Sequence, residues 1–301
     1  MAGKNISSYR GRFAPSPTGP LHFGSLVAAV GSYLEAKANN GIWLVRMEDI
    51  DPPREIPGAA DDILKTLEQF GFEWDEEVLF QSSRLDAYEQ AFNILKENEF
   101  IYPCSCSRKE IAITGKPGLE GTIYSGKCRN KKNIFSDEFA VRVKTGNNKV
   151  SFADALQGNK SCNLKNNIGD FIVRRRDGLF AYQLAVVIDD AEQKITHIVR
   201  GNDLLNSSFR QIHLQGLLEL PRVNYCHLPI AVNAQGEKLS KQTGAPALDK
   251  THPIDELIRT MQFLNQKPPK KLHRATLPEF WEWAINNWNL KKVPEHYSLP
   301  V

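Results

Sequence analysis

A chain of 301 residues with 41% apolar and 24% charged residues has the material for a full hydrophobic core and the composition of an ordinary globular protein. Its formal net charge of +3 is too small to demand a nucleic-acid partner, although basic clusters at 127–133, 174–176 and 267–274 permit one. No secretory leader pattern or membrane-spanning apolar run is present, and an odd count of five cysteines does not make an extracellular disulfide framework, so a cytoplasmic protein without a membrane partner is expected.

In chain order, the run RFAPSPTGPLHFGS from Arg12 to Ser25 opens as a short extended segment and turns through Pro and Gly. It ends in His22-Phe23-Gly24-Ser25, directly before SLVAAVGSYLEAKA, whose apolar spacing is helical. The unpaired N–H groups of a helix N-terminus make such a βα turn an anion seat, with His22 able to donate from beside it; an ordinary loop is the plainer reading. Asn39-Asn40-Gly41 closes the helix, and IWLVRMED reads as a buried parallel strand that completes a βαβ unit. That strand ends in Arg46, Glu48 and Asp49. Ligands sit at the carboxyl ends of strands in open α/β sheets, so Glu48 either faces a substrate amine or pairs with a neighbouring arginine.

Two amphipathic helices follow, GAADDILKTLEQF up to Gly71 and SRLDAYEQAFNILKEN from an N-cap at Ser82 or Ser83. From about Ile101 the composition changes. Cys104, Cys106 and Cys128 offer three thiolates from two loops, which fits a closed structural zinc site still short of a ligand, or else three reduced cysteines that merely lie near one another. Cys162 and Cys226 read as small buried residues. FAVRVKT and VSFADAL predict two strands, and DFIVRRRDGLFAY a hairpin turning at Arg176-Asp177-Gly178. The βαβ pattern then resumes with YQLAVVIDDAEQ as a helix, ITHIVRG as a strand, NDLLNSSFRQIHLQGLLEL as a helix and HLPIAV as a strand. Arg200 ends its strand as Glu48 ends its own, and Tyr182 opens the preceding helix; a surface cation and a core aromatic are the alternatives. In GEKLSKQTGAP, Lys238 and Lys241 sit in a glycine-flanked loop that makes a poor core element and a good polyphosphate clamp. Two helices come last, PIDELIRTMQFLNQ and TLPEFWEWAINNWNL, with Trp281, Trp283 and Trp288 read as packing rather than base-stacking groups.

HFGS and KLSKQ resemble the HIGH and KMSKS motifs of class I aminoacyl-tRNA synthetases, with Ser25 replacing the second histidine, Leu239 the methionine and Gln242 the last serine. From Gly11 to about Asn265 the chain resembles the glutamate branch of that class through PSPTGPLHFGSL, RMEDIDPPR, PGAADDIL, PCSCSR, YQLAVVIDD, VRGNDLL and KLSKQTGAPAL. More narrowly it resembles the truncated glutamyl-queuosine tRNA(Asp) synthetase family, which KLSKQ and the CxC…YxxxC pattern favour. The resemblance implies an α/β fold built on a class I synthetase Rossmann-type parallel sheet. Its first half occupies 1–101 and its second half, with the KLSKQ loop, 181–245. Between them an inserted, zinc-containing, lid-like domain fills 102–180, and a short C-terminal helical segment, 246–301, leaves no room for an anticodon-binding domain of ordinary size.

The resemblance further places a glutamate site on Arg12, Phe13, Ala14, Pro15, Ser16, Glu48, Tyr182 and Arg200. It places an ATP site on His22, Gly24, Ser25, Lys238 and Lys241, with His22 and the two lysines catalytic. It makes Tyr124 the fourth ligand of one structural Zn²⁺ held with Cys104, Cys106 and Cys128, although a phenol with a pKa of about 10 ionises there only with the metal's help. The residue chemistry agrees, because two arginines suit the two carboxylates of glutamate in a way that the neutral amide of glutamine cannot match. The expected reaction is in-line attack of glutamate on the α-phosphorus of Mg²⁺-ATP without tRNA, then transfer to the queuosine cyclopentenediol at the wobble position of tRNA(Asp), by a monomer. Aminoacylation of a tRNA 3′ end, as in the glutamyl-tRNA synthetases, and an inactive regulatory paralogue are the alternatives; the intact lysines of KLSKQ speak against the second.

Overall fold

Apolar runs of strand length alternating with helical ones can bury both kinds of face only by layering helices over a parallel sheet. The structure, a computed structural model, describes residues 9–131, 135–136, 138–239 and 244–301. β1 (Arg10–Phe13) leads into α1 (Phe23–Ala38) and back to β2 (Ile42–Met47), followed by α2 (Ala59–Gln69), β3 (Leu79–Phe80) and α3 (Leu85–Glu97). The next stretch is rich in short strands: β4 (Ile101–Cys104), α4 (Arg108–Thr114), β5 (Lys116–Gly118), β6 (Gly121–Ile123), β7 (Ala140–Val143), β8 (Lys149–Asp154), β9 (Gly158–Asn163), α5 (Leu164–Asn167) and β10 (Ile172–Arg174). Long elements return with α6 (Tyr182–Glu192), β11 (His197–Gly201), α7 (Leu205–Leu217), β12 (Asn224–Leu228) and β13 (Ile230–Val232), and the chain finishes with α8 (Pro253–Phe263), α9 (Leu277–Asn287) and β14 (Ser298–Pro300).

β1, β2 and β3 form one ladder, and β11, β12, β8 and β9 another. The two are joined where Thr196 N–H donates to Arg10 O at 2.9 Å and Arg10 N–H to Thr196 Oγ1 at 2.8 Å. Strand order therefore reverses between β1 and β11, the crevice at which open α/β sheets bind ligands. The β8–β9 hairpin, drawn from the strand-rich stretch, extends this sheet by pairing Asp154 with Tyr225 of β12. β4, β7 and β10 make a separate antiparallel sheet, whose Val141, Val143 and Val173 pack with Tyr88 and Phe92 of α3 and Leu184 of α6.

α1 is buried on most of its circumference, as a helix apolar nearly all round must be. One side meets the sheet so closely that a Cβ at Gly31 would stand 2.4 Å from Leu228 Cδ1, and only glycine permits that approach. The other side meets α8 and α9, where the tryptophans are packing groups: Trp281 donates to Phe70 O at 3.0 Å, Trp288 donates to Glu35, and Trp283 lies against the same core.

Three local expectations change. Ser82 and Ser83 do not cap α3: they lie in a 3₁₀ turn, where Ser82 Oγ donates to Asp49 Oδ2 at 2.6 Å and Ser83 Oγ to Phe80 O at 2.7 Å, and α3 starts after Arg84 with no side-chain cap. Both hydroxyls are turned to acceptors outside the helix, Asp49 and Phe80 O, instead of to its first N–H groups. The helix after HFGS begins at Phe23, because His22 itself caps it by accepting Ser25 N–H at Nδ1. The expected strand HLPIAV starts earlier, at Asn224, and breaks at Pro229, which has no N–H for a ladder. Among the described residues, no helix is long and apolar enough to cross a membrane.

Candidate active site

β1, β2 and β11 deliver their carboxyl ends to one place. A cavity of about 480 Å³ opens there, and its wall includes Arg12, Phe13, Ala14, Ser16, Glu48, Tyr182 and Arg200. Pro15 is not part of that wall; its carbonyl accepts Glu48 N–H at 2.9 Å and so ties the end of β1 to the end of β2.

Arg200 is not a surface cation, being 5% exposed. Its Nε donates to His227 Nε2 at 3.1 Å, Nη1 to Tyr182 Oη at 3.2 Å, and Nη2 to Ser208 Oγ at 2.8 Å and Gln211 Oε1 at 2.9 Å. Every one of these acceptors is neutral, and among the described residues no carboxylate lies within ion-pair distance of the guanidinium. The histidine must accept at Nε2, so its proton sits on Nδ1 and points at Asp154 Oδ2, 2.6 Å away. Burial, helped by the charge on Arg200, pushes this imidazole down to about 4 against the pull of Asp154. A fixed, neutral His227 therefore aims Arg200 without lowering its charge.

Across the cavity, Asp190 holds two arginines, taking Arg46 Nη2 at 2.7 Å and Arg12 Nε at 3.1 Å. Arg46 is fully buried and also bonds Gln193 Oε1 at 2.8 Å. Glu48 is left with less. Its Oε1 stands 3.9 Å from Arg46 Nη2, too far for a hydrogen bond, and has no hydrogen-bond partner among the described residues. Burial pushes the Glu48 carboxyl up to about 7, with Arg46 and Arg12 offsetting only part of the cost. Glu48 thus neighbours an arginine, as one of its two readings has it, at ion-pair but not hydrogen-bond distance. The cavity thus presents guanidinium groups of Arg12 and Arg200 together with an under-bonded carboxylate, the pattern for a ligand with anionic groups and an ammonium.

A second cavity of about 250 Å³ adjoins the first, sharing Ala14, Ala28, Gly201 and Leu204, and is lined by His22, Gly24, Ser25, Asp203 and Lys238. Because His22 Nδ1 accepts the Ser25 N–H, its proton is on Nε2. The two signature stretches meet here: His22 bridges to Ala247, Leu248 N–H donates to Leu21 O at 3.0 Å, and a Cβ on Gly24 would lie 3.3 Å from Leu239 O. Lys238 Nζ bonds Asp203 Oδ2 at 2.6 Å. Lys241 lies outside the described residues; of the pair expected to share a cleft with it, His22 and Lys238 line this one cavity.

The thiol cluster is also assembled. The Sγ atoms of Cys104, Cys106 and Cys128 lie within 4.8 Å of one another, and those of Cys106 and Cys128 are 3.6 Å apart. The edge of a tetrahedron with Zn–S bonds of about 2.3 Å is roughly 3.8 Å, so the spacing suits a metal. Tyr124 Oη stands 3.4 Å from Cys106 Sγ and accepts Cys128 N–H at 2.8 Å, with Arg142 over its ring at 4.2 Å.

Sequence reasoning named Arg46 only as a strand-end charge and missed Asp190, His227, Asp154 and Asp203. One signal was present, the acidic pair Asp189-Asp190 in the otherwise apolar stretch YQLAVVIDDAE, where two buried carboxylates demand partners.

Residues 8–265 match the family described as tRNA synthetases class I (E and Q), catalytic domain. The chain is 53% identical over 290 residues, 96% of each chain, to a Glutamyl-Q tRNA(Asp) synthetase of Dechloromonas aromatica, and 49% identical over 291 residues, 96% of this chain and 98% of the other, to one of Neisseria meningitidis. Its fold is similar to that of a glutamate-tRNA synthetase from Elizabethkingia anophelis, with a TM-score of 0.79 at 24% identity over 97% of this chain and 68% of that one.

Proposed function

This chain belongs to the class I tRNA synthetases of the E and Q type, and from that membership we propose that it activates glutamate with ATP and passes the glutamyl group to the queuosine of tRNA(Asp). The observation that carries the reading is the buried guanidinium of Arg200, charged and without a carboxylate partner among the described residues, in a cavity that continues into the one lined by His22 and Lys238. The names of relatives that match nearly end to end favour the queuosine acceptor over a tRNA 3′ end.

Arg12 and Arg200 take the two glutamate carboxylates, Glu48 takes the ammonium, and Phe13, Ala14, Ser16 and Tyr182 shape the seat that Pro15 braces. The N-terminus of α1, His22, Gly24 and Ser25 receive the phosphates, and Lys238 and Lys241 close over them, Lys238 by leaving Asp203 for the polyphosphate. A glutamate carboxylate oxygen bonds to the α-phosphorus while the bond to the β-phosphate oxygen breaks, and pyrophosphate departs with the electron pair. Negative charge grows on the phosphate oxygens during this step, and the positive groups around them lower its energy; no protein nucleophile is needed. Mg²⁺ arriving with ATP would add positive charge at the departing pyrophosphate. In the second step a queuosine hydroxyl forms an ester to the glutamyl carbonyl carbon, and AMP leaves with its phosphate taking the hydroxyl proton.

The test is glutamate-dependent ATP–pyrophosphate exchange without tRNA, followed by glutamate transfer to tRNA(Asp) with and without queuosine. Exchange alone and transfer only to the queuosine form are expected. Exchange that demands tRNA(Glu) points instead to 3′-end charging, and absence of exchange to a regulator.

Glu48 makes the first step pH-dependent. Its carboxyl titrates at about 7 and only the ionised form attracts an ammonium, so the KM for glutamate in exchange is expected to rise as pH falls below 7 and to level off above it. Glu48→Gln removes this slope and raises KM by roughly ten- to hundredfold, as expected for a lost charge-assisted bond.

Cys104, Cys106, Tyr124 and Cys128 would hold one Zn²⁺, which supplies a structural cross-link rather than reaction chemistry. Metal analysis is expected to find zinc, which Cys128→Ser loses together with thermal stability. Tyr124→Phe, keeping the thiols, retains zinc roughly tenfold less tightly. Full retention in the phenylalanine variant would remove Tyr124 from the ligand set.

A further inference from the structure

The larger cavity has more wall than an amino acid can use. Beyond the residues assigned to glutamate, its wall includes Ile50, Asp51, Arg54, Glu55, Arg175 and Phe180, none of which lines the second cavity. These residues come from opposite sides of the mouth: the loop after β2, and the turn after β10. The bond across it is from Arg175 Nη1 to Asp51 Oδ1 (2.9 Å), while Asp51 Oδ2 accepts Arg54 Nε within its own loop and Arg175 Nη2 donates to Asp177 Oδ2 at 2.6 Å. With both of its oxygens engaged, Asp51 serves as a clamp. Glu55 does not: its Oε1 is shielded and has no hydrogen-bond partner among the described residues. Ile50 and Phe180 add an apolar surface, and the Arg54 side chain is 68% exposed at the rim.

We propose that this outer part of the cavity seats the acceptor, a carbocyclic vicinal diol carried on an RNA backbone, with Glu55 accepting the diol hydroxyls and Arg54 and Arg175 meeting phosphate at the rim. The inference rests on the ligase reading above and deepens it. A carboxylate is the natural receptor for two adjacent hydroxyls, as the acidic residue that binds a ribose in dinucleotide folds shows. A ring without charge needs the apolar wall that Ile50 and Phe180 provide. Guanidinium groups at the entrance suit the phosphodiester on either side of a nucleotide inserted from solvent. Burial together with the charges of Asp49 and Asp51 pushes the Glu55 carboxyl up, against the pull of the Asp51 backbone N–H.

Wild-type enzyme and the Glu55→Ala, Glu55→Gln and Arg175→Ala variants are compared in two assays: glutamate-dependent ATP–pyrophosphate exchange without tRNA, and single-turnover transfer from preformed adenylate to queuosine-containing tRNA(Asp). Glu55→Ala is expected to lower transfer about ten- to hundredfold more than exchange, the worth of a hydrogen bond to a charged group, with Glu55→Gln between it and wild type. Arg175→Ala is expected to raise the tRNA concentration needed for half-maximal transfer. Transfer and exchange falling in equal proportion, or transfer unchanged by all three variants, would overturn the acceptor subsite while leaving the ligase reading intact. A wild-type enzyme that transfers equally well to tRNA(Asp) lacking queuosine would overturn both.

Discussion

An Arg200→Leu variant is expected to need roughly a hundred to a thousand times more glutamate for half-maximal ATP–pyrophosphate exchange, the equivalent of about 3 to 4 kcal/mol of lost binding. The size follows from what surrounds the guanidinium. His227, Tyr182, Ser208 and Gln211 orient it through bonds to neutral atoms, so its charge is available in full to a ligand in a water-poor cavity. A glutamate carboxylate there forms charge-assisted bonds that glutamine's amide cannot equal, and the variant is expected to lose preference for glutamate over glutamine as well. KM rises more than kcat falls, because the bond exists before the reaction begins. Arg200→Lys is expected to recover only part of the loss, since a single ammonium cannot satisfy the set of acceptors arranged for a planar fork. An unchanged KM in the leucine variant would take Arg200 out of the glutamate site.

Asp190→Asn is expected to be the most destabilising conservative change in the molecule. The side chain is 2% exposed and stands between Arg12, 3% exposed, and the fully buried Arg46. Asparagine keeps the volume, so no void forms, but two buried cations lose their shared counter-charge. Breaking such a pair costs about 3–5 kcal/mol, which in a chain of this size lowers the thermal midpoint by on the order of 10 °C. Burial pushes the Asp190 carboxyl up, yet Arg12 and Arg46 outweigh it and hold the group below the usual carboxylate range. Its contribution is therefore fully present above the ordinary aspartate pKa and is lost as pH falls through the native value. Wild-type stability should drop in acid by an amount that the asparagine variant does not show. Calorimetric melts of the two proteins from pH 7 down to pH 3 measure both effects, and coincident curves would mean that the triad adds nothing to stability.

The sheet and its helices were legible because periodicity is local: the run around Val45 and the spacing in α1 announce a strand and a helix without reference to the rest of the chain. Glu48 and Arg200 were legible for a related reason, being charges at the carboxyl ends of strands that read as parallel and buried. What supports them was not. Asp154 reaches His227 across 73 residues and Asp190 reaches Arg12 across 178, and no pattern in a linear string records which buried carboxylate will meet which base. Ser82 is likewise placed by a distant partner, Asp49, 33 residues away, which holds it in the turn before α3. Lys241 was singled out in the sequence and lies outside the described residues, so its place still rests on the KLSKQ resemblance.

The hairpin that carries Asp154 ties two parts of the gene together. Its residues are encoded between the halves of the catalytic sheet, yet its carboxylate holds the histidine that steadies Arg200. A chimaera that took segment 102–180 from a relative with another residue at this position would leave His227 with no proton acceptor, and amino-acid selectivity would change although no residue of the recipient's own pocket had been altered. What looks like an exchangeable cassette is thus coupled, through Asp154 and His227, to the strand it braces.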